Sequence, residues 1–126
     1  MDVTPLIREG QQIIQSYAAG TFRVSGVSYE DALLVYPSQT IMWQTAPKTI
    51  ADMQVSNFTG LLKQASEIDV LLFGTGEKMQ FINPKLRQEL SAQGLPMDVM
   101  DTGAACRTYN VLMAEGRRVV AILMPT

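Results

Sequence analysis

Cys106 is the residue of this chain whose chemistry is most open to question, because it closely follows an Asp-Thr-Gly segment that begins at Asp101. A thiol near a helix N-terminus and beside a basic residue, here Arg107, can lose its proton and act as a nucleophile. The other possibility is a buried residue, since Cys106 lies at the edge of an apolar helical stripe that includes Tyr109 and Leu112. The stripe predicts a mainly structural thiol with a raised pKa.

Several kinds of catalytic and metal site are excluded by the composition. The sequence contains no histidine and one cysteine. A single copy of the chain therefore cannot form a Ser-His-Asp triad, a Cys-His dyad or a Cys/His zinc site. The carboxylates also lack a spacing that specifies acid-base catalysis. We expect no metal and no cofactor.

Two loops could form a ligand site, because each follows a predicted strand at its carboxyl end, where open α/β sheets bind ligands. The first loop is GTGEK, beginning at Gly74, and the second is DTG, beginning at Asp101. A dinucleotide site is excluded because Met79 stands where the third glycine of GxGxxG would be. The alternative is structural, with Gly74 and Gly76 forming a tight strand exit and Asp101 capping a helix. The residues of the predicted cleft are Gly74, Thr75, Gly76, Lys78, Asp101, Thr102, Cys106, Arg107 and Asn110.

Other polar and aromatic residues have expected roles around this cleft. Arg107 and Asn110 are predicted to hold the two loops together. Glu77 and Lys78 are predicted to form a solvated loop tip, although a lysine beside amide donors could attract an anion. Trp43, at the end of a predicted hairpin strand, is expected to pack in the core.

The first half of the chain carries β-strand signals. Apolar residues in 11–44 are interrupted at Ala19-Gly20, and the strands ALLVY and TIMWQ are separated by Pro37-Ser38-Gln39, a loop of hairpin length. We expect antiparallel strands there. Residues 45–56 have mixed polarity and are expected to be irregular, and Ser56 is predicted to cap a short helix.

The second half has the pattern of a βαβαβ unit, in which short continuous apolar runs alternate with helical segments. Asn83 and Pro84 are predicted to begin a helix that ends near Gly94, a residue suited to a left-handed conformation. Crossovers between parallel strands are expected to be right-handed. One sheet is predicted to hold strands near 69–73, 97–100 and 118–123, with helices near 84–93 and 103–115 on its faces.

Length and charge set the class of protein. The 126 residues suit a single domain over 1–126, and with 47% hydrophobic residues no apolar run approaches the roughly 20 residues of a membrane span. The net charge of -2 and the lack of a basic stripe argue against nucleic acid as a partner. The start, MDVTPLIREG, lacks the pattern of a secretory signal, so we expect a soluble, cytoplasmic protein without membrane insertion.

Three segments together resemble a known family. The run LLFGTGEKMQF, the helix NPKLRQEL and the segment GLPMDVMDTGAACRTYNVLMAEGRRVVAILMP are similar to the small family of domains of unknown function that contains the mitochondrial respiratory complex I assembly factor 3 and the adipogenesis-associated domain protein. The resemblance implies a three-layer α/β fold with a central mixed sheet and an extra N-terminal antiparallel β layer. It implies no established catalytic activity and no accepted active site. Cys106 and Arg107 match the bacterial-type motif, and the lack of a transit peptide favours a bacterial relative.

Two functions therefore remain open. The resemblance favours a non-enzymatic module that binds another protein, as an assembly factor of a membrane complex would. The alternative is binding of a small anionic ligand, or a Cys106-dependent enzyme, in the cleft between the GTG and DTG loops. A solvent-accessible Cys106 in a pocket would favour the alternative, whereas a buried thiol beside an exposed apolar patch would favour protein interaction.

Overall fold

The first three strands form a separate antiparallel sheet, as the alternating apolar residues predict. In the computed structural model, which describes residues 9–126, strands β1 (Ile14–Ala18), β2 (Thr21–Val24) and β3 (Val27–Glu30) lie in that order. Both connecting turns have two consecutive residues with positive φ and end in glycine, Gly20 and Gly26. This conformation matches the right-handed twist of the paired strands. The expected absence of a targeting signal rests largely on residues 1–8, which lie outside the described residues.

The central sheet is mixed and contains five strands in the order β5-β4-β8-β6-β7. The parallel pairs β6-β7 and β6-β8 confirm the predicted C-terminal unit, and β4 pairs antiparallel with β5 and β8. The last strand therefore lies in the same sheet as the first strand of that unit, as predicted. The bounds are β4 (Leu33–Val35), β5 (Thr40–Met42), β6 (Val70–Gly74), β7 (Asp98–Met100) and β8 (Val119–Leu123).

Three α-helices, α1 (Thr59–Lys63), α2 (Pro84–Ala92) and α3 (Thr102–Ala114), complete the fold. The predicted start of α2 is confirmed, because the Asn83 side chain accepts a hydrogen bond from the Lys85 amide at 2.9 Å. None of these helices, which span parts of residues 9–126, has the length and hydropathy needed to cross a membrane.

The prediction that Ser56 caps a short helix is wrong. A 3-10 helix spans Val55–Phe58, so Ser56 lies inside the first turn rather than before it. The Gln54 amide instead donates to Asn57 Oδ1 at 2.7 Å, and this local bond begins the turn two residues earlier. Further 3-10 helices span Ile50–Asp52 and Ala65–Glu67, within and after the segment expected to be irregular.

The core forms on both faces of the central sheet. One face packs against α1 and α2, and its centre is Trp43, as predicted, with ring centroids 5.5 Å from Phe58 and 5.9 Å from Phe73. The other face packs against α3 and the three-stranded sheet, with Phe22 and Tyr109 fully buried there. The observed layers are those that the family resemblance implies: helices, mixed sheet, and a layer of α3 with the small sheet.

Candidate functional site

The GTG and DTG loops contact each other directly at the end of β6. The Thr102 amide donates to the Gly76 carbonyl and the Gly76 amide donates to Thr102 Oγ1, both at 2.9 Å. The Thr75 amide donates to the Met100 carbonyl at 2.9 Å, which extends the contact between β6 and β7. We call this contact, formed by Gly74, Thr75, Gly76, Asp101 and Thr102, the loop junction.

Both threonine hydroxyl groups of the loop junction are buried and form hydrogen bonds within the protein. Thr102 Oγ1 donates to the Met124 carbonyl at 2.7 Å, just beyond β8. Thr75 Oγ1 lies 2.8 Å from the Lys78 carbonyl and accepts a hydrogen bond from the Gln80 amide at 2.9 Å. Because buried polar groups need such partners, these bonds link three neighbouring strand ends to the following loop.

Glycine is required at position 74 by the close approach of α3. A Cβ atom on Gly74 would lie 2.8 Å from the Thr102 Cα atom, a distance that would force the backbone to move. A Cβ atom on Gly103 would meet the Tyr17 hydroxyl group, so the Tyr17 side chain would have to move. These glycines therefore serve close packing of α3 against β6 and β1.

Asp101 caps α3, as the structural alternative predicts. Its Oδ1 atom accepts a hydrogen bond from the Ala104 amide at 2.8 Å. A carboxylate at this position satisfies one free amide of the first turn and interacts favourably with the helix dipole. Lys78, in contrast, is exposed next to Glu77 at the tip of the first loop.

Cys106 is buried under β1, with 3% of its surface exposed. Burial raises the pKa of its thiol to about 12, and the nearby Asp101 carboxylate adds to the increase while the Arg107 charge opposes it. The thiol therefore remains protonated near neutral pH, and a protonated thiol is a poor nucleophile. A cavity of about 230 Å³ lies beside it, lined by Ile14, Gln15, Ser16, Tyr17, Cys106, Arg107 and Asn110.

The prediction that Arg107 and Asn110 hold the two loops together is wrong. The Asn110 side chain bonds both backbone groups of Ile14, accepting from the amide at 2.9 Å and donating to the carbonyl at 2.8 Å. Arg107 Nη1 lies 3.4 Å from the Tyr17 hydroxyl oxygen. Both residues therefore connect α3 to β1, across a distance in sequence that no local pattern reveals.

Apart from the exposed Lys78, the residues of the predicted cleft thus divide into two groups. The loop junction lies at the end of β6, while Cys106, Arg107 and Asn110 face β1. Two larger cavities, of about 440 and 560 Å³, are lined by residues outside both loops. Within residues 9–126, no cluster of three or more metal-ligating Cys, Asp or Glu side chains is found. Ligand binding between the loops stays a prediction.

Phe81 is a candidate functional residue that the sequence analysis missed. Its surface is 90% exposed, and that of Met79, two positions earlier, is 48% exposed. Both lie in the connection between β6 and α2, where the loop junction holds the chain. The available signal was a phenylalanine placed between Gln80 and the start of a helix, outside any apolar periodicity.

Relatives with similar sequences carry names of several kinds. A protein of Rhodobacter capsulatus named only as uncharacterized is 33% identical over 89% of this chain and 83% of its own length. The zebrafish (Danio rerio) NADH dehydrogenase [ubiquinone] 1 alpha subcomplex assembly factor 3 is 28% identical over 90% of this chain, which spans 64% of that protein. A Francisella tularensis protein named 13 kDa major membrane protein is 27% identical over 87% of this chain and 88% of its length.

Solved structures share the fold, and a family model covers most of the chain. A Bordetella parapertussis protein superposes with a TM-score of 0.80 at 35% identity, covering 93% of this chain and 98% of that one. A Bordetella pertussis protein described as an Mth938-like domain superposes with a TM-score of 0.79 at 28% identity, covering 99% and 92%. The model described as "Protein of unknown function (DUF498/DUF598)" matches residues 14–124, so both loops and α3 lie inside the match. The chain belongs to this DUF498/DUF598 family.

Proposed function

We propose that this chain is a non-enzymatic protein-interaction module of the assembly-factor type, and that Phe81 is its main contact residue. The exposure of Phe81 is the observation that carries the proposal. Phenylalanine is usually buried, and aromatic side chains dominate the binding energy of many protein interfaces. An aromatic ring with 90% of its surface in water is stabilised when a partner covers it.

Contacts on both sides of Phe81 support a binding role. The Gln80 amide bonds to Thr75 Oγ1, Ile82 is buried in the core, and Asn83 caps α2. The backbone on either side of Phe81 is therefore anchored to the core and to the loop junction. An ordered loop loses less conformational entropy on binding, which favours affinity.

The surroundings of Phe81 suit a protein surface with apolar and acidic groups. Met79 adds a second exposed apolar side chain, and methionine adapts its shape to different partner surfaces. Lys78 and Lys85, which flank Phe81 in the sequence, are exposed and could pair with partner carboxylates. We name this surface, formed by Lys78, Met79, Phe81 and Lys85, the Phe81 surface.

The relatives support an assembly role for this interaction. The vertebrate relatives are named as assembly factors of NADH dehydrogenase, a name that implies contact with other proteins. We propose that the bacterial-type chain acts in the cytoplasm on a partner of the same kind, a protein of a membrane-bound complex. The buried state and raised pKa of Cys106 weigh against the alternative of a Cys106-dependent enzyme.

Photo-crosslinking in the native host tests this proposal. A benzophenone amino acid at position 81 is expected to crosslink to one defined protein that belongs to a membrane complex or to its assembly machinery. Position 27 is the matched control, because Val27 is also an exposed apolar residue, with 52% of its surface exposed, and lies in the other sheet. Equal crosslinking patterns at positions 81 and 27, or no crosslinked protein at position 81, would contradict the proposal.

A further inference from the structure

The cavity of about 440 Å³ lies at the end of the central sheet opposite the loop junction. Strands β6 and β8 are parallel, with Val70 paired to Val119 where both strands begin and Gly74 paired to Leu123 where they end. The loop junction begins at Gly74, whereas the cavity is lined by Ile68 and Val119 from the opposite end. Its volume is within the roughly 300 to 1,000 Å³ of small-molecule sites.

Three charged side chains line this cavity, and two of them, Arg117 and Glu67, form no ion pair among the described residues. Among the described residues, the Arg117 guanidinium has no hydrogen bond and no ion pair, although it lies close enough to Asp69 to contribute to the lowered pKa of that carboxyl group. The main cause of the lowered Asp69 pKa is Arg118, whose guanidinium forms a bidentate ion pair with the carboxylate at 2.7 and 3.1 Å. Glu67, also in the lining, forms no salt bridge among the described residues, although after Asp69 it contributes to the raised pKa of the neighbouring Arg118. One cation and one anion thus remain available to a ligand.

The remaining lining combines a polar wall with apolar surface. The Tyr36 hydroxyl donates to Gln64 Oε1 at 2.7 Å, which holds the Gln64 side chain at the wall. The Gln64 amide group can still donate hydrogen bonds, because its bond with Tyr36 uses only its oxygen. Ile68 and Met113 contribute apolar surface to the same cavity.

We infer that this cavity binds a free α-amino acid with an apolar side chain. The ligand carboxylate pairs with the Arg117 guanidinium, whose geometry suits two parallel hydrogen bonds. The ligand ammonium group pairs with the Glu67 carboxylate, and the ligand side chain packs against the apolar lining. A purely anionic ligand is disfavoured because it would be repelled by Glu67 and leave that carboxylate without a cationic partner, while the Arg118 guanidinium in the lining is already paired with Asp69. This inference does not depend on the proposed protein partner.

A titration of the ¹⁵N-labelled chain with L-leucine, followed by backbone amide shifts, tests this inference. We expect saturable shifts at millimolar ligand for the cavity residues, and smaller or no shifts at the loop junction. Leucinamide lacks the carboxylate and N-acetyl-leucine lacks the ammonium group, so each is expected to bind about tenfold more weakly or worse. L-methionine and L-valine extend the panel to other apolar side chains.

Three variants complete the test. Arg117→Gln and Glu67→Gln are each expected to weaken L-leucine binding about tenfold, because each removes one charged partner. Arg23→Gln, which changes an exposed arginine of β2, is the matched control and is expected to bind as the unchanged chain does. The inference is overturned if no amino acid of the panel gives saturable shifts, if N-acetyl-leucine binds as well as leucine, or if Arg117→Gln binds unchanged.

Discussion

At the scale of single residues, the family motifs of this chain have mainly structural roles. Thr75 and Thr102 place their hydroxyl groups in buried hydrogen bonds, and Asp101 caps α3. Cys106 fills the apolar space under β1, and Tyr109 donates its hydroxyl hydrogen to the Gln12 carbonyl at 2.9 Å. These internal contacts indicate that the residues stabilise the fold rather than take part in a reaction.

Cys106 is expected to react slowly with alkylating reagents in the folded chain. Burial raises the pKa of its thiol to about 12, so the reactive thiolate is scarce at neutral pH, and the surrounding side chains block access. Cys106→Ala is expected to lower the free energy of unfolding by about 1 kcal/mol, and Cys106→Ser to be no better, because its hydroxyl group would need a partner. Rapid alkylation at neutral pH, with a midpoint well below about 8.5, would contradict this assignment.

The raised thiol pKa also predicts how stability depends on pH. The unfolded chain releases the thiol proton near the usual pKa of 9.0, whereas the folded chain keeps it to about 12. The stabilisation that the protonated thiol contributes is therefore fully present below pH 9. It is lost as pH rises from 9 to about 12, by at most about 1.4 kcal/mol per pH unit. Urea unfolding at several pH values should show that the free energy of unfolding falls less steeply at alkaline pH in Cys106→Ala. Some loss remains in this variant, because burial also raises the pKa of the Tyr109 hydroxyl group.

At the scale of elements, α3 holds the three-stranded sheet to the central sheet. Asn110 supplies two side-chain hydrogen bonds of this contact, because its amide group pairs with both backbone groups of Ile14. It acts on the first residue of β1 much as a neighbouring strand would. Arg107 reaches the same strand at Tyr17.

Asn110→Ala is expected to loosen β1 from α3. The variant leaves two backbone groups of Ile14 without their partners, at a cost of about 1 to 3 kcal/mol in the free energy of unfolding. Hydrogen exchange should become faster at the Ile14 amide. Asn110→Asp is the matched control, because it retains an acceptor for the Ile14 amide and should protect that amide better than alanine does. Unchanged exchange at Ile14 in Asn110→Ala would contradict the role given to this side chain.

Local sequence patterns predicted the elements better than the contacts between them. The Asn83-Pro84 start of α2 and the positive φ of Gly94 depend on neighbouring residues, and both were predicted correctly. The role of Asn110 depends on a strand that lies 96 positions earlier, so spacing along the helix could not identify it. Ser56 was misassigned because the competing Asn57 side chain bonds the Gln54 amide. The exposure of Phe81 likewise follows only once the core has been assembled.

At the scale of the whole molecule, the two ends of the central sheet differ in character. At one end, the polar groups of the loop junction form hydrogen bonds within the protein and hold the loop that carries Phe81. At the other end a cavity is lined by Arg117 and Glu67, which form no ion pair with each other. We therefore propose separate places for a protein partner and for a small zwitterionic ligand.

Loss of the Phe81 ring tests the central claim, a protein interaction through the Phe81 surface, most directly. The measurement is the amount of the protein crosslinked at position 81 that co-purifies with Phe81→Ser, compared with Val27→Ser and the unchanged chain. We expect Phe81→Ser to reduce this amount at least about tenfold, as for an interface hot spot, with an unchanged free energy of unfolding because the ring is exposed. Val27→Ser should bind normally. Co-purification of the same protein with Phe81→Ser at the level of the unchanged chain would contradict the proposed function.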